Sequence, residues 1–297
     1  MFAAHPISRA ACRPNRAWLF ALFFGLLLLA SWAAQPAQAQ ESPTQTLPPG
    51  NGTLPPRALY LPAIQRVSPS AASPSGCPAE SSNQYAATPI LGSPRRSPPP
   101  PEQDPDLNLT LRGFVATSAL LGLVNINGDT DPDAPQLAGL FSPRRAPVFT
   151  AAYQVHDWNW SCPNGGCRGE PLRHPEVTLV GLAARPGEPV YPPSRRAPIW
   201  GNAIAQVLFA EETRLTLAYT RDDSPAYGYV IHLENVCVDP NLLALYRSLH
   251  QAGRTSLPAL RAGDPIGSAR SDVIQVAVRD TGSFMDPRSR KDWWVGY

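Results

Sequence analysis

"VFTAAYQVHDWNW", residues 148–160, alternates along its length and is rich in aromatic side chains, the pattern of a long β-strand. Runs of the same kind recur downstream at 177–183, 203–209, 214–220, 227–234 and 273–279, and "LNLTLRGFVA" (107–116) alternates upstream. Gly, Pro and Asp punctuate the intervals as turn residues. Only "VDPNLLALYRSLHQAG" (238–253) carries helix punctuation. There Asp239 caps, Pro240 suits the first turn, Leu242, Leu245, Tyr246 and Leu249 share a face, and Gly253 stops the helix. The expected fold is therefore all-β with one short helix.

Upstream of residue 105 the composition changes. The stretches "ESPTQTLPPGNGTLPP", "RVSPSAASPSGCPAESS" and "GSPRRSPPPPEQDP" hold much of the chain's 36 prolines and little apolar surface. Such a segment cannot offset the entropy of ordering itself, so 40–104 reads as an extended Pro-rich stalk or linker. One apolar island, "RALYLPAIQRV" (57–67), either docks as an extra strand or is a sticky stretch of linker. Before it, Arg9, Arg13 and Arg16 precede an apolar run from Ala17 to Ala34, with small residues at Ala37-Gln38-Ala39. That order is the layout of a signal peptide over 1–39; a retained membrane anchor is the competing reading. After cleavage no second long apolar run remains, so no membrane span is expected in the mature chain. The expected location is secreted or cell-surface. The expected division is a signal at 1–39, a linker at 40–104, an N-terminal β region at 105–168 and a C-terminal β domain at 169–297.

A net charge of +2, without a basic stripe interleaved with aromatics, argues against nucleic acid as a partner. Export would remove Cys12 and leave Cys77, Cys162, Cys167 and Cys237, an even number in an oxidising compartment. "CPNGGC" sets a turn-prone Asn-Gly-Gly between Cys162 and Cys167, so these two are expected to pair, and Cys77 with Cys237 by elimination. A four-cysteine metal site is the alternative.

The mature chain has four histidines, His156, His174, His232 and His250, and neither an H-E-x-x-H nor an H-x-H pair. His232 shares a strand face with Glu234, as a solvated or hydrogen-bonded histidine, and His250 ends the helix where a cation favours the dipole. From His174 onward a wider pattern emerges. "RHPEVTLVGLAARPGEPVY" (173–191), "YGYVIHLEN" (227–235), "LLALYRSL" (242–249), "LPALRAGDPIGSAR" (257–270) and "DVIQVAVRDTGSFMDPRS" (272–289) stand in order along the chain. In that order they resemble the segments of lysostaphin-type (LytM, duplicated hybrid motif) zinc endopeptidases of peptidoglycan. The resemblance implies a lysostaphin-like β-sheet domain preceded by a smaller β layer.

It also marks where zinc chemistry would sit. His174, Thr178 and Gln275 stand at the positions of the family's three zinc ligands, Val273 at that of its base, and Ser248 at that of its L-Y-A-H histidine. Thr and Gln are poor zinc ligands, and valine accepts no proton. The resemblance thus implies a domain that has lost its chemistry, with no cofactor. If the fold survives, His174 and Gln275 should lie within about one side-chain length of each other, with Thr178 close by.

Two further groups carry possible binding chemistry. Asn127, Asp129, Asp131 and Asp133 alternate like calcium-loop ligands, but Pro132 replaces the EF-hand glycine and Ala138 its last glutamate, which favours a polar turn. Tyr153, Trp158 and Trp160 are candidates for stacking on sugar faces, although core packing is the commoner use of such residues. The expectation is a non-catalytic envelope or cell-surface protein that binds peptidoglycan, another polysaccharide or a partner hydrolase. The alternatives are an active hydrolase built from His156, Asp157 and His232, and a purely structural surface protein.

Overall fold

A computed structural model describes residues 76–95 and 99–297. The expected signal peptide, Cys12, the apolar island at 57–67 and most of the expected stalk lie outside these residues. The strands are β1 (Ala86–Pro89), β2 (Phe114–Ala116), β3 (Phe149–Asn159), β4 (Cys167–Pro171), β5 (Leu179–Ala183), β6 (Pro189–Val190) and β7 (Ala203–Glu211). They continue with β8 (Arg214–Ala218), β9 (Tyr229–Glu234), β10 (Val236–Val238), β11 (Ser256–Arg261), β12 (Gly267–Ala269), β13 (Val273–Asp280) and β14 (Ser283–Met285). Three helices accompany them: α1 (Leu109–Arg112), α2 (Pro240–Gln251) and α3 (Arg290–Trp293). The fold is all-β, as the alternation predicts.

One sheet of 11 strands runs β1-β11-β7-β8-β9-β13-β5-β3-β2, with β14 added to β13 and β4 to β3. A small sheet, β10-β12-β6, stands beside it. Every pairing between strands is antiparallel. Because side chains alternate along each strand, the large sheet has two distinct faces.

Leu215, Leu217, Ile231, Leu233, Val276, Val278, Val180 and Leu182 share a core with Leu137, Leu140, Phe141, Trp293 and Trp294. The two tryptophans arrive from the C-terminal segment and are almost fully buried. Their indole N–H groups donate to the carbonyls of Asp286 and Pro287, both at 2.8 Å. Buried Arg288 holds the turn between them by donating to the Asp286 carboxylate at 3.0 and 2.7 Å. Burying large aromatics while their polar atoms keep partners is what makes this tail part of the core.

The capping residues of α2 act as expected. The Asp239 carboxylate accepts the amides of Asn241 and Leu242 at 2.9 and 3.3 Å, and Gly253 takes φ +92° just past the last turn. Cys77 is bonded to Cys237 and Cys162 to Cys167, as expected. Three readings change. "LNLTLRGFVA" is not one strand: it forms the single turn α1 and then the short β2, because this segment lies across the sheet and Leu107 and Leu109 bury against it. The expected linker contributes β1, which pairs with β11 from Ala86 opposite Ala259 to Pro89 opposite Ser256. The strand β3, from the expected N-terminal region, pairs directly with β5 of the expected C-terminal domain, so both belong to one sheet. Among the described residues no helix is long and apolar enough to cross a membrane.

Candidate binding groove

Register brings together residues that lie far apart in sequence. Ala151 stands opposite Gly181, Gly181 opposite Gln275, Gln275 opposite Glu234, and Glu234 opposite Arg214. These five positions form one row across β3, β5, β13, β9 and β8, roughly 20 Å long at the usual strand spacing. Four of the five, Ala151, Gln275, Glu234 and Arg214, line an open groove of about 600 Å³, and Gly181 lies buried among them. A Cβ at Gly181 would come within 2.8 Å of the Thr150 hydroxyl and 3.2 Å of a Val273 methyl, so only hydrogen fits beneath these two lining residues.

One wall is aromatic. Phe114 and Tyr153 meet edge to face, with ring centroids 5.0 Å apart, and Thr110 continues the wall. The other wall is polar, with Thr213, Asn235 and Arg270 beside Val273. Asn235 sits at φ +61°, and its amide donates to the Ser271 hydroxyl at 2.7 Å and to the Val273 carbonyl, which fixes the rim to the end of β13. Arg214 donates to Glu234 at 2.9 Å and also pairs with Glu211. Burial holds the Glu234 carboxyl above its ordinary range, and the Arg214 guanidinium offsets only part of that rise. Gln275 differs from these. Among the described residues its side-chain amide makes no hydrogen bond to the protein, and neither does the Tyr153 hydroxyl. A donor and an acceptor on Gln275 therefore face the groove uncommitted.

The next row on the same face is sealed. It carries His232 opposite both Ala277 and Thr216, and the 107–109 segment and Phe284 cover it. Thr216 donates to the Leu107 carbonyl at 2.6 Å, so its oxygen accepts from His232 Nδ1 at 3.0 Å, an assignment made from the network. Nε2 then has no partner. Burial, helped by the nearby Arg279 guanidinium, lowers the His232 pKa from 6.5 to about 3. His232 is thus hydrogen-bonded as expected, but not solvated. Above it Arg112 and Arg279 both donate to Asp106, at 2.6 and 2.9 Å. Burial opposes charge on Asp106, and the two guanidiniums outweigh it and hold the carboxyl below its ordinary range.

Of the five positions that the peptidase resemblance marks, two line the groove: Val273 and Gln275. Thr178 does not join them. Its hydroxyl is fully buried and accepts the Val155 amide at 2.7 Å, and it lies three residues along β5 from the position opposite Gln275, about 10 Å away. His174 is exposed ahead of β5 and is not among the groove's lining residues. Ser248 is exposed on α2, which packs on β7 and β11 rather than beside β13. Thr178 thus does not stand beside Gln275 as expected: its side chain is spent on joining the start of β5 to β3.

The alternative hydrolase set does not assemble either. His156 Nδ1 lies 2.8 Å from the Gly169 carbonyl, Asp157 is exposed, and β5 and β13 stand between their strand and that of His232. Trp158 donates to the Gly165 carbonyl at 3.0 Å and stands edge-on to Trp160, which is 50% exposed. This pair belongs to the Cys162–Cys167 hairpin, apart from Tyr153. In the acidic loop, the Asp131 carboxylate accepts the Asp133 amide at 2.8 Å and the Tyr229 hydroxyl at 2.6 Å, while the Asp129 carbonyl accepts Lys291. Asn127, Asp129, Asp131 and Asp133 do not form a metal-holding group among the described residues.

Sequence reading identified Tyr153, Val273 and Gln275 but missed Phe114, Gly181, Arg214, Glu234 and Asn235. Only Gly181, a glycine inside an apolar strand, carried a local signal of close approach. Compared with family models, curated proteins and solved structures, the chain matches none.

Proposed function

We propose that this chain is an exported, non-catalytic envelope or cell-surface protein whose groove binds peptidoglycan or a related polysaccharide. The observation that carries the reading is the uncommitted Gln275 amide at the centre of a polar cross-strand row, beside the aromatic wall of Phe114 and Tyr153. Amides, hydroxyls and a charged pair on one side and aromatic faces on the other suit a polymer of sugars and acetamido or peptide groups. The lining contains no imidazole or thiol, and its one carboxylate is held by Arg214, so the groove offers recognition rather than a nucleophile and base. Two disulfides among the described residues support an oxidising location. The peptidase resemblance fits a domain that keeps a wall-polymer groove without the zinc ligands. Cosedimentation of the full chain with purified peptidoglycan tests the proposal. Wild type should bind without releasing soluble fragments, and Ala151→Leu, which puts bulk into the groove from a lining position, should lose binding; Gln275→Ala serves as the milder companion. Equal binding by all three, or release of fragments by wild type, would overturn it.

A further inference from the structure

A second cleft, of about 530 Å³, lies on the other face of the sheet, lined by the 130–136 loop, Arg144, the 194–196 turn and Val295. Its position follows from Tyr229. That side chain projects on the face of Ile231 and Leu233, away from Glu234, and its hydroxyl donates to Asp131 at the cleft. Three arginines line the space, Arg144, Arg195 and Arg196, against a single acidic residue, Asp131. Both oxygens of that carboxylate are already occupied, one by the Asp133 amide at 2.8 Å and the other by Tyr229 at 2.6 Å. Arg144 and Arg196 make no ion pair or hydrogen bond among the described residues. Arg195 is anchored: its Nη1 donates to the Tyr219 carbonyl at 2.6 Å, and its guanidinium lies 6.0 Å from the Tyr219 ring centroid. Its Nε is buried without an acceptor. That atom is closed off from the cleft, but Nη2 makes no hydrogen bond among the described residues and is not closed off, and an oxyanion is the acceptor that suits a guanidinium best.

We propose that this cleft binds a compact dianion, the phosphoryl group of a small phosphate ester. Three cations against one committed anion leave two positive charges to be balanced, which a phosphate monoester near neutral pH supplies. The guanidinium fork matches phosphate oxygens geometrically. Pro132, Ala134 and Val295 line the same space and give the organic part of such an ester an apolar surface. The volume holds one small molecule, not a polymer strand, so this site is independent of the groove reading.

Calorimetric titration of the full chain with phenyl phosphate at low salt tests the assignment. Binding should be saturable at one site per chain. The double variant Arg144→Ser, Arg196→Ser, which removes two exposed side chains without polar partners, should weaken it about 100-fold, tenfold for each charged hydrogen-bond donor lost. Arg247→Ser, an exposed arginine on α2, should leave it unchanged. No saturable binding, wild-type affinity in the double variant, or an equal loss in Arg247→Ser would overturn the proposal. Preference for a dicarboxylate such as malonate over phenyl phosphate would overturn the phosphoryl assignment.

Discussion

Replacing His232 by asparagine is expected to remove a large part of the acid sensitivity of this fold. In the native chain the imidazole is neutral, gives its Nδ1 hydrogen to Thr216 and stacks on Phe284, with ring centroids 6.2 Å apart. Burial first, and then the Arg279 charge, lower its pKa to about 3, against 6.5 for the ordinary group. The sign follows from linkage: with the folded value depressed, the unfolded chain takes up the proton first. Stability from this group is therefore full above pH 6.5 and falls as pH drops toward 3.

At about 1.4 kcal/mol per tenfold step, the whole gap is worth on the order of 4–5 kcal/mol, and the part between pH 6.5 and 5 about 2 kcal/mol. That upper window avoids the carboxylates of Asp106, Asp131 and Glu188, whose values are lowered and whose contributions fade only at lower pH. Asparagine keeps an N–H where Nδ1 stood but does not titrate. His232→Asn should cost about 1–2 kcal/mol at pH 7.5, through the volume it removes. Urea unfolding at pH 7.5 and pH 5 gives the comparison. Wild type should lose about 2 kcal/mol more than the variant between these two conditions, a difference from which the other histidines cancel. An equal loss in both proteins would refute the reasoning.

Two other perturbations have defined outcomes. Truncation after Asp280 removes β14 and the buried Trp293 and Trp294, so thermal melting should fall by more than 10 °C or the chain should fail to fold; an unchanged melting temperature would show the tail to be dispensable. Converting Cys77 and Cys237 to serine should cost roughly 4–5 kcal/mol in the chain-entropy model, against about 2 kcal/mol for Cys162 and Cys167. The first bridge spans 160 residues and the second spans 5, and denaturant unfolding of the two double variants should preserve that order.

The parts of the fold that were legible in sequence are those set by local chemistry. The alternation of 148–160 became β3, and Asp239, Pro240 and Gly253 delimit α2 as their capping chemistry requires. The same alternation misled at 107–112, where Leu107 and Leu109 bury against the sheet and only 114–116 pairs with a strand, β3. Strand β11 was hidden by Pro258 at its centre, and β1 by the Pro-rich composition around it. His232 was placed on the correct face, beside Glu234, but nothing local shows that Leu107 and Phe284 close over one and leave the other at the edge of a groove. The groove itself is a product of register. Ala151, Gly181, Gln275, Glu234 and Arg214 become neighbours only when five strands align, and spacing along one chain does not encode that alignment. The resemblance to zinc peptidases brought Gln275 and Val273 to notice, while the hydrogen bond from Val155 removed Thr178 from the set it implied.

The most direct test of the groove reading is a titration of the full chain with a soluble peptidoglycan fragment carrying both sugars and stem peptide, comparing wild type with Gln275→Ala. Losing an amide that makes up to two hydrogen bonds to the ligand should weaken binding about tenfold while the melting temperature stays within a degree or two, because that amide supports nothing in the protein. Mass spectrometry of the fragment after prolonged incubation should find it intact. An unchanged affinity in Gln275→Ala, or a cleaved fragment with wild type, would contradict the account.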